Sequence, residues 1–150
     1  MTPAVQAAKR AGIDFRLHEY TGVAVGDGDY AVAVAEALGL PPARLFKTLV
    51  ADVDGTLAVF VVPGDRQLDL RAAGKRVSLA DRAEAQRATG YVVGGISPLG
   101  QRRRLPTTLD ESALAWETIL VSAGRRGLQI ELAPADLVAL TGAAVGRVAR

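Results

Sequence analysis

FKTLVADVDGTLAVFVV, residues Phe46 to Val62, is the strongest strand signal in the chain. Two apolar, β-branched segments flank Asp54-Gly55, a dipeptide suited to a type I′ turn because both of its residues tolerate positive φ. The spacing predicts an antiparallel hairpin. Leu57 to Val62 is apolar without a break, as in a strand buried on both faces. In the other arm alternate side chains share a face, which puts Lys47 on the side of Leu49, Ala51 and Val53. A lysine so placed either snorkels out at the strand end or lines a pocket. In a pocket, partial desolvation makes the ammonium seek an anion such as a phosphate.

On the amino-terminal side, Thr2 as N-cap, Pro3 at the first helical position and Gly12 beyond the last predict a helix. Asp14 to Tyr20 alternates Phe15, Leu17 and Glu19 against Arg16, His18 and Tyr20, a half-buried strand. The glycine-containing TGVAVGDGD, residues 21–29, is a loop. Asp27 and Asp29 within it suit turns and N-caps better than an acid–base pair. Tyr30 to Leu38 reads as a helix ended by Gly39, with Pro41-Pro42 blocking its continuation.

After the hairpin, Asp69 to Arg76 and Asp81 to Thr89 read as short helices, the second stopped by Gly90. LPTTLD (105–110), TILVSAG (118–124) and GLQIEL (127–132) read as strands. Pro134 to Leu140 is a closing helix with Gly142 just past its end. Strands, hairpins and short helices in this order predict an α/β (α+β-like) fold with a mixed sheet. No repeat or linker interrupts the chain, so residues 1–150 read as one domain.

Composition narrows the chemistry. With 49% hydrophobic and 23% charged residues the chain is globular rather than disordered. No apolar run approaches the roughly 20 residues of a membrane span, and the amino terminus lacks a signal peptide's apolar core. With no cysteine there is no disulfide, thiolate metal site or cysteine nucleophile, and a cytoplasmic protein is expected. His18 is the one histidine, and a strand-face histidine with a hydrogen-bond partner is its ordinary role. A net charge of only +2 says little about nucleic acid. Its distribution says more: Arg102, Arg103 and Arg104 are consecutive, and Arg125-Arg126 lie in a second glycine-containing turn. Both clusters are solvated loop tips or two sides of a site for one anionic ligand.

The loop GGISPLGQRRRLP, Gly94 to Pro106, resembles a phosphate loop in its Gly95-to-Gly100 spacing. Gln101-Arg102 stand where that motif needs lysine and a hydroxyl, so it lacks the parts for a nucleoside triphosphate and its magnesium. A nucleophile elbow at Ser97 also fails. The second glycine comes one residue late, and Pro98 has no N–H to serve an oxyanion.

FKTL at Phe46 to Leu49, TGYVVGGISPLGQRRRLPT from Thr89 to Thr107, and LVSAGRRGLQIEL from Leu120 to Leu132 resemble the YbaK family of Cys-tRNA(Pro) deacylases. The early TPAV, the His18-x-Tyr20 pair and GDRQLDL at Gly64 to Leu70 fit in the same order. The resemblance implies a compact mixed, partly barrel-like sheet flanked by helices, related to the editing insertion domain of bacterial prolyl-tRNA synthetase. It implies cleavage of the ester between a mischarged cysteine and the 3′-terminal adenosine of tRNA, without metal or cofactor. The substrate's own thiol is then the nucleophile, which fits a chain short of catalytic groups.

On this resemblance Lys47 is the functional lysine, pairing with the terminal phosphate or an oxygen of the reacting ester. Tyr20, Thr48, Gly94, Gly95, Ser97, Pro98, Leu99, Gly100, Ser122 and Gly124 belong to the substrate pocket. Arg102, Arg103, Arg104, Arg125 and Arg126 meet RNA phosphates further back. The partners implied are the aminoacylated tRNA 3′ end and, transiently, prolyl-tRNA synthetase. A non-catalytic RNA-end or nucleotide-binding module on the same fold, or a deacylase for another small amino acid such as alanine, remains the alternative.

Overall fold

The computed structural model describes residues 1–24 and 29–150. The hairpin is present: β2 (Phe46–Val53) and β3 (Thr56–Pro63) pair antiparallel from Phe46 opposite Pro63 to Val53 opposite Thr56. Asp54 and Gly55 take φ of 52° and 92°, the two positive angles a type I′ turn requires. β5 (Thr107–Asp110) runs parallel to β3 and β8 (Ala144–Gly146) parallel to β5, while β4 (Val77–Leu79) pairs antiparallel with the far end of β2. The order is β4-β2-β3-β5-β8. A smaller antiparallel sheet has the order β1-β7-β6, from β1 (Phe15–Glu19), β7 (Leu128–Leu132) and β6 (Ile119–Arg125).

A bridge between Leu45 and Leu120 joins the sheets at one corner. The mixed α/β class is as expected. The barrel-like character reduces to that corner, since neither sheet closes on itself.

The unbroken apolar run of β3 has a physical reason: both of its faces are covered. Val59 and Val61 meet Ile119, Val121 and Ile130 of the smaller sheet, with helix α1 (Pro3–Ala11) and helix α5 (Pro134–Thr141) closing that core. Phe60 and Val62 turn the other way, onto Leu68, Val148 and Ala149. Each such buried side chain contributes roughly 1.5–3 kcal/mol relative to exposure. Helix α2 (Tyr30–Ala37) covers the outer face of the smaller sheet, setting Val34 and Ala35 against Tyr20 and Leu120.

The helix ends follow the capping chemistry read from the sequence, with one exception. Thr2 Oγ1 accepts from the Val5 N–H (3.2 Å) and donates to the Ala123 carbonyl, so the first cap also ties α1 to β6. Helix α4 (Arg82–Thr89) starts at Asp81, whose carboxylate accepts from the Glu84 N–H at 2.8 Å, and ends at Gly90 with φ 82°. At α2, Asp29 holds the N-cap position but makes no side-chain cap bond. Asp27 lies outside the described residues.

The single helix expected over Asp69 to Arg76 is two elements. Helix α3 spans only Leu70–Ala73, and after Gly74 the chain becomes the edge strand β4. A side chain at Gly74 would sit 2.8 Å from Val53 Cγ1, so the chain there lies too close to β2 for a helix to continue. β8, three residues long, is too short to show a periodicity in sequence. No helix among the described residues is long and apolar enough to cross a membrane.

Candidate active site

One edge of β2 pairs with β3 throughout; the other edge is interrupted. It meets the Leu120 bridge at Leu45 and β4 from Ala51 onward, with the Val50 carbonyl accepting from the Ala80 N–H at 2.9 Å. Phe46 to Leu49 lie between, with β3 as their only ladder partner among the described residues. A cavity of about 410 Å³ opens along this gap. Its walls come from α2, from the start of α4 with the segment before it, from the loop at Val93, Gly94 and Ile96, and from Ser122 and Gln129 of the smaller sheet.

Lys47 lines the cavity, which settles the choice between pocket and snorkel. The apolar residues that share its parity behave as alternation dictates: Leu49, Ala51 and Val53 pack in the second core. Burial pushes the Lys47 ammonium below its ordinary pKa, and the charges of Asp29 and Asp65 oppose that only in part. No carboxylate lies within ion-pair distance of it among the described residues. A half-desolvated cation without a counterion is poised for an anion or a developing oxyanion.

Other wall residues escaped the sequence reading. Arg82, at the first position of α4, adds a second cation. Tyr30 also lines the wall, its hydroxyl 2.9 Å from that of Tyr20. Burial, and then the hydrogen bond with Tyr20, push the Tyr30 phenol well above its ordinary pKa, so it stays protonated. Gln129 is 4% exposed and reaches the cavity from β7. Thr48 Oγ1 and Gln129 Oε1 are buried with no hydrogen-bond partner among the described residues. The GLQIEL alternation could have put Gln129 on the face opposite Leu128 and Ile130; its lack of a partner is visible only in three dimensions.

The residues expected in the pocket divide into two groups. Lys47, Thr48, Gly94 and Ser122 line the cavity, and Tyr20 stands behind Tyr30. The others are packed against the protein. A side chain at Gly95 would meet the Arg125 backbone at 2.8 Å, and one at Gly100 would meet the Pro3 carbonyl oxygen at 2.6 Å. Gly124, at φ 103°, lies against the Tyr91 ring and Thr2. Ser97, Pro98 and Leu99 are buried, with Ser97 Oγ accepting from the Leu99 N–H (3.2 Å) and the Leu99 carbonyl accepting from the Tyr91 hydroxyl (2.6 Å). Most of these glycines serve close approach between chain segments, which holds Gly94 at the cavity wall.

The arginines also separate. Arg126 donates from Nε to the carbonyl of Val93, a wall residue, at 2.9 Å, and its charge acts on Tyr30. It stands at the cavity rim. The backbone N–H groups of Arg102 and Arg103 donate to the Thr89 and Ala88 carbonyls, at the end of α4 away from the cavity. That is about 10 Å of helix from Arg82. Arg102 and Arg104 lie over the glycines that end α4 and α5, where a cation complements the helix dipole.

His18 has the partner expected of it: its Nε2 donates to Glu131 Oε1 at 2.7 Å, and it does not line the cavity. Among the described residues no cluster of histidine, aspartate and glutamate could hold a metal ion.

An apolar cavity with a lysine that has no ion-pair partner among the described residues, beside a glycine loop, suits a ligand with a polar, negatively polarised end. The chain belongs to the aminoacyl-tRNA editing domain family, whose pattern matches residues 16–140. It is 43% identical over 117 residues, 74% of this chain and 71% of the other, to an Enterococcus faecalis protein named as a candidate Cys-tRNA(Pro)/Cys-tRNA(Cys) deacylase, EbsC. It is 35% identical over 85 residues to a proline–tRNA ligase of Acidithiobacillus ferrooxidans, 53% of this chain but 15% of that much longer protein. A crystal structure of a candidate trans-editing enzyme for prolyl-tRNA synthetase superposes with a TM-score of 0.83 at 26% identity, covering 100% of this chain and 99% of that one.

Proposed function

We propose that residues 1–150 form an editing domain acting in trans, which removes cysteine mischarged onto tRNA(Pro). The observation that carries this reading is the gap in the β2 edge. It presents a partly desolvated Lys47 that has no ion-pair partner, and buried polar atoms that lack hydrogen-bond partners, among the described residues. The family and the EbsC relationship supply the substrate class.

The cavity walls offer no thiol, imidazole or carboxylate among the described residues, so the nucleophile comes with the substrate. The cysteinyl sulfur, as thiolate, attacks its own ester carbon. The bond to the terminal ribose oxygen breaks, and that oxygen leaves with the proton the thiol gave up. The amino acid departs as a thiolactone, which water opens. A free cysteine thiol, which loses its proton near about pH 8.5, is ionised to roughly a few per cent at neutral pH, enough for this role. Lys47 meets the negative charge on the ester oxygen, and the Gly94 loop and Tyr30 hold the ester in place.

The rim arginine Arg126, its exposed neighbour Arg125 and the more distant Arg102, Arg103 and Arg104 contact backbone phosphates, positioning the acceptor end without reading its sequence. A transient complex with prolyl-tRNA synthetase, in the cytoplasm, supplies the choice of tRNA. Incubation with Cys-tRNA(Pro) should release the amino acid well above the spontaneous rate. Tight binding without acceleration would replace the deacylase by an RNA-end-binding module, and equal acceleration of Ala-tRNA(Pro) would replace cysteine selectivity by a general one for small amino acids.

A further inference from the structure

Gln129 is 4% exposed, yet its Oε1 has no hydrogen-bond partner among the described residues, and neither does Thr48 Oγ1. Leaving a buried polar atom unpaired costs roughly 1–3 kcal/mol. Two of them in the walls of one cavity point to a ligand that completes them. Their placement is fixed by the sheets. Gln129 sits opposite Ser122 in the β6–β7 register, and both turn away from the core that takes Leu128 and Ile130. Thr48 stands on β2 within its unpaired edge. Ser122 Oγ already accepts from the Gly124 N–H at 3.2 Å, which leaves Gln129 and Thr48 as the two unsatisfied groups.

Gln129 Oε1 can only accept, and the Thr48 hydroxyl can accept as well as donate, so one N–H or O–H donor on the ligand can satisfy both. We propose that Gln129 and Thr48 hold the α-amino group of the bound aminoacyl ester, an assignment that rests on the deacylase reading above. The ester carbonyl and ribose oxygens carry lone pairs that suit Lys47, whereas the amino group is the donor next to the scissile carbon. The lining charge agrees: Lys47 and Arg82 contribute two cations, and no carboxylate lines the cavity among the described residues, the charges of Asp29 and Asp65 reaching Lys47 only from outside the lining. Such surroundings disfavour an ammonium and favour the neutral amine. A neutral amide and a hydroxyl then fit the amine as acceptors. Held there, the amino group fixes the rotation about the α-carbon and so the direction from which the side-chain thiol reaches its carbonyl.

The test separates binding from turnover. Calorimetry would compare 3′-cysteinylamino-3′-deoxyadenosine with its 3-mercaptopropionyl counterpart, which lacks only the α-amino group. A third probe keeps the cysteinyl group and replaces adenine by purine, removing the base amino group, the competing donor. Wild-type protein should prefer the cysteinyl mimic over the mercaptopropionyl one by about 10- to 100-fold, the range for one or two good hydrogen bonds. Gln129→Met and Thr48→Val should each lose most of that preference while binding the mercaptopropionyl mimic within a few-fold of wild type. Because each replaces an unsatisfied buried atom at similar volume, neither should melt earlier than wild type in circular dichroism. Variants that keep the full preference, or a wild type that shows none, overturn the assignment. Loss of affinity that instead follows the purine probe transfers Gln129 to the base. Failure to cleave Cys-tRNA(Pro) with the binding pattern intact would sink the deacylase reading and leave this one standing.

Discussion

Lys47 stands where two demands conflict: the strand around it is apolar, and the ammonium it carries costs free energy to desolvate. Burial lowers its pKa, and Asp29 and Asp65 restore only part of the loss. Lys47→Ala should therefore not destabilise the fold, and in a melting experiment its midpoint should equal or exceed wild type. The same variant should lose about 30- to 1000-fold in deacylation rate, the equivalent of roughly 2–4 kcal/mol of transition-state charge stabilisation. Lys47→Arg should recover only part, since a planar guanidinium does not fit a space shaped for a compact ammonium. Full activity in Lys47→Ala would remove the residue from the site. Alternation along FKTLVADV put Lys47 on an apolar face, because a strand's faces follow from parity alone, but left snorkel and pocket both open, a choice that only the cavity settles. Gln129 and Arg82 were not legible in that way. Each is an ordinary polar residue in its own segment, and becomes part of a cavity wall only through the pairing of β6 with β7 and the packing of α4.

At the level of elements, the corner where the two sheets meet is tied by a small polar cluster. Arg44 donates from Nε to the Thr118 carbonyl (2.9 Å) and from Nη2 to Glu131 Oε2 (3.0 Å), while Thr118 Oγ1 also donates to that oxygen (2.7 Å). His18 brings β1 to the same carboxylate. Burial pushes the Glu131 carboxyl up, but the hydrogen bonds from Thr118 and His18 and the Arg44 charge outweigh it and hold the pKa below the ordinary value. A carboxylate with a depressed folded pKa stabilises above its unfolded pKa, near about 4.3, and that contribution is lost as pH falls through the folded one. Glu131→Gln should cost about 1–2 kcal/mol at pH 7, or roughly 2–8 °C in melting temperature. Its melting temperature should also fall less steeply than that of wild type between pH 5 and 3, a range set by about one unit either side of the ordinary carboxylate value. Parallel acid limbs would mean that Glu131 is not the group being titrated. The hairpin and most helix ends could be read from sequence because their chemistry is local: Asp54-Gly55, Asp81 and Gly90 each act within one turn. β4 and β8 could not, since three-residue strands exist only by virtue of the edge they complete.

Across the whole molecule, the features that looked like one loop-centred site are spread along α4. Its first residue, Arg82, lines the cavity, and its last turn carries the backbone of Arg102 and Arg103. The glycine loop between them is held on α1 and on the β6–β7 turn by close approaches at Gly100 and Gly95. This layout gives a substrate with a small polar head and a charged tail a head pocket at one end of the helix and cations at the other. Among the described residues the walls of that pocket offer no thiol, imidazole or carboxylate, and on the proposed reading the reaction depends on the nucleophile the substrate carries. Single-turnover deacylation of Cys-tRNA(Pro) and of the same tRNA bearing serine tests this most directly, since the two side chains are nearly isosteric. Pocket contacts alone separate such neighbours by roughly 10- to 100-fold, whereas a hydroxyl is far less ionised and less nucleophilic than a thiol. Attack by the substrate thiol predicts a cysteine preference well above that range, with Lys47→Ala slowing the cysteinyl ester; comparable rates for serine and cysteine would rule it out and require a water activated by the protein.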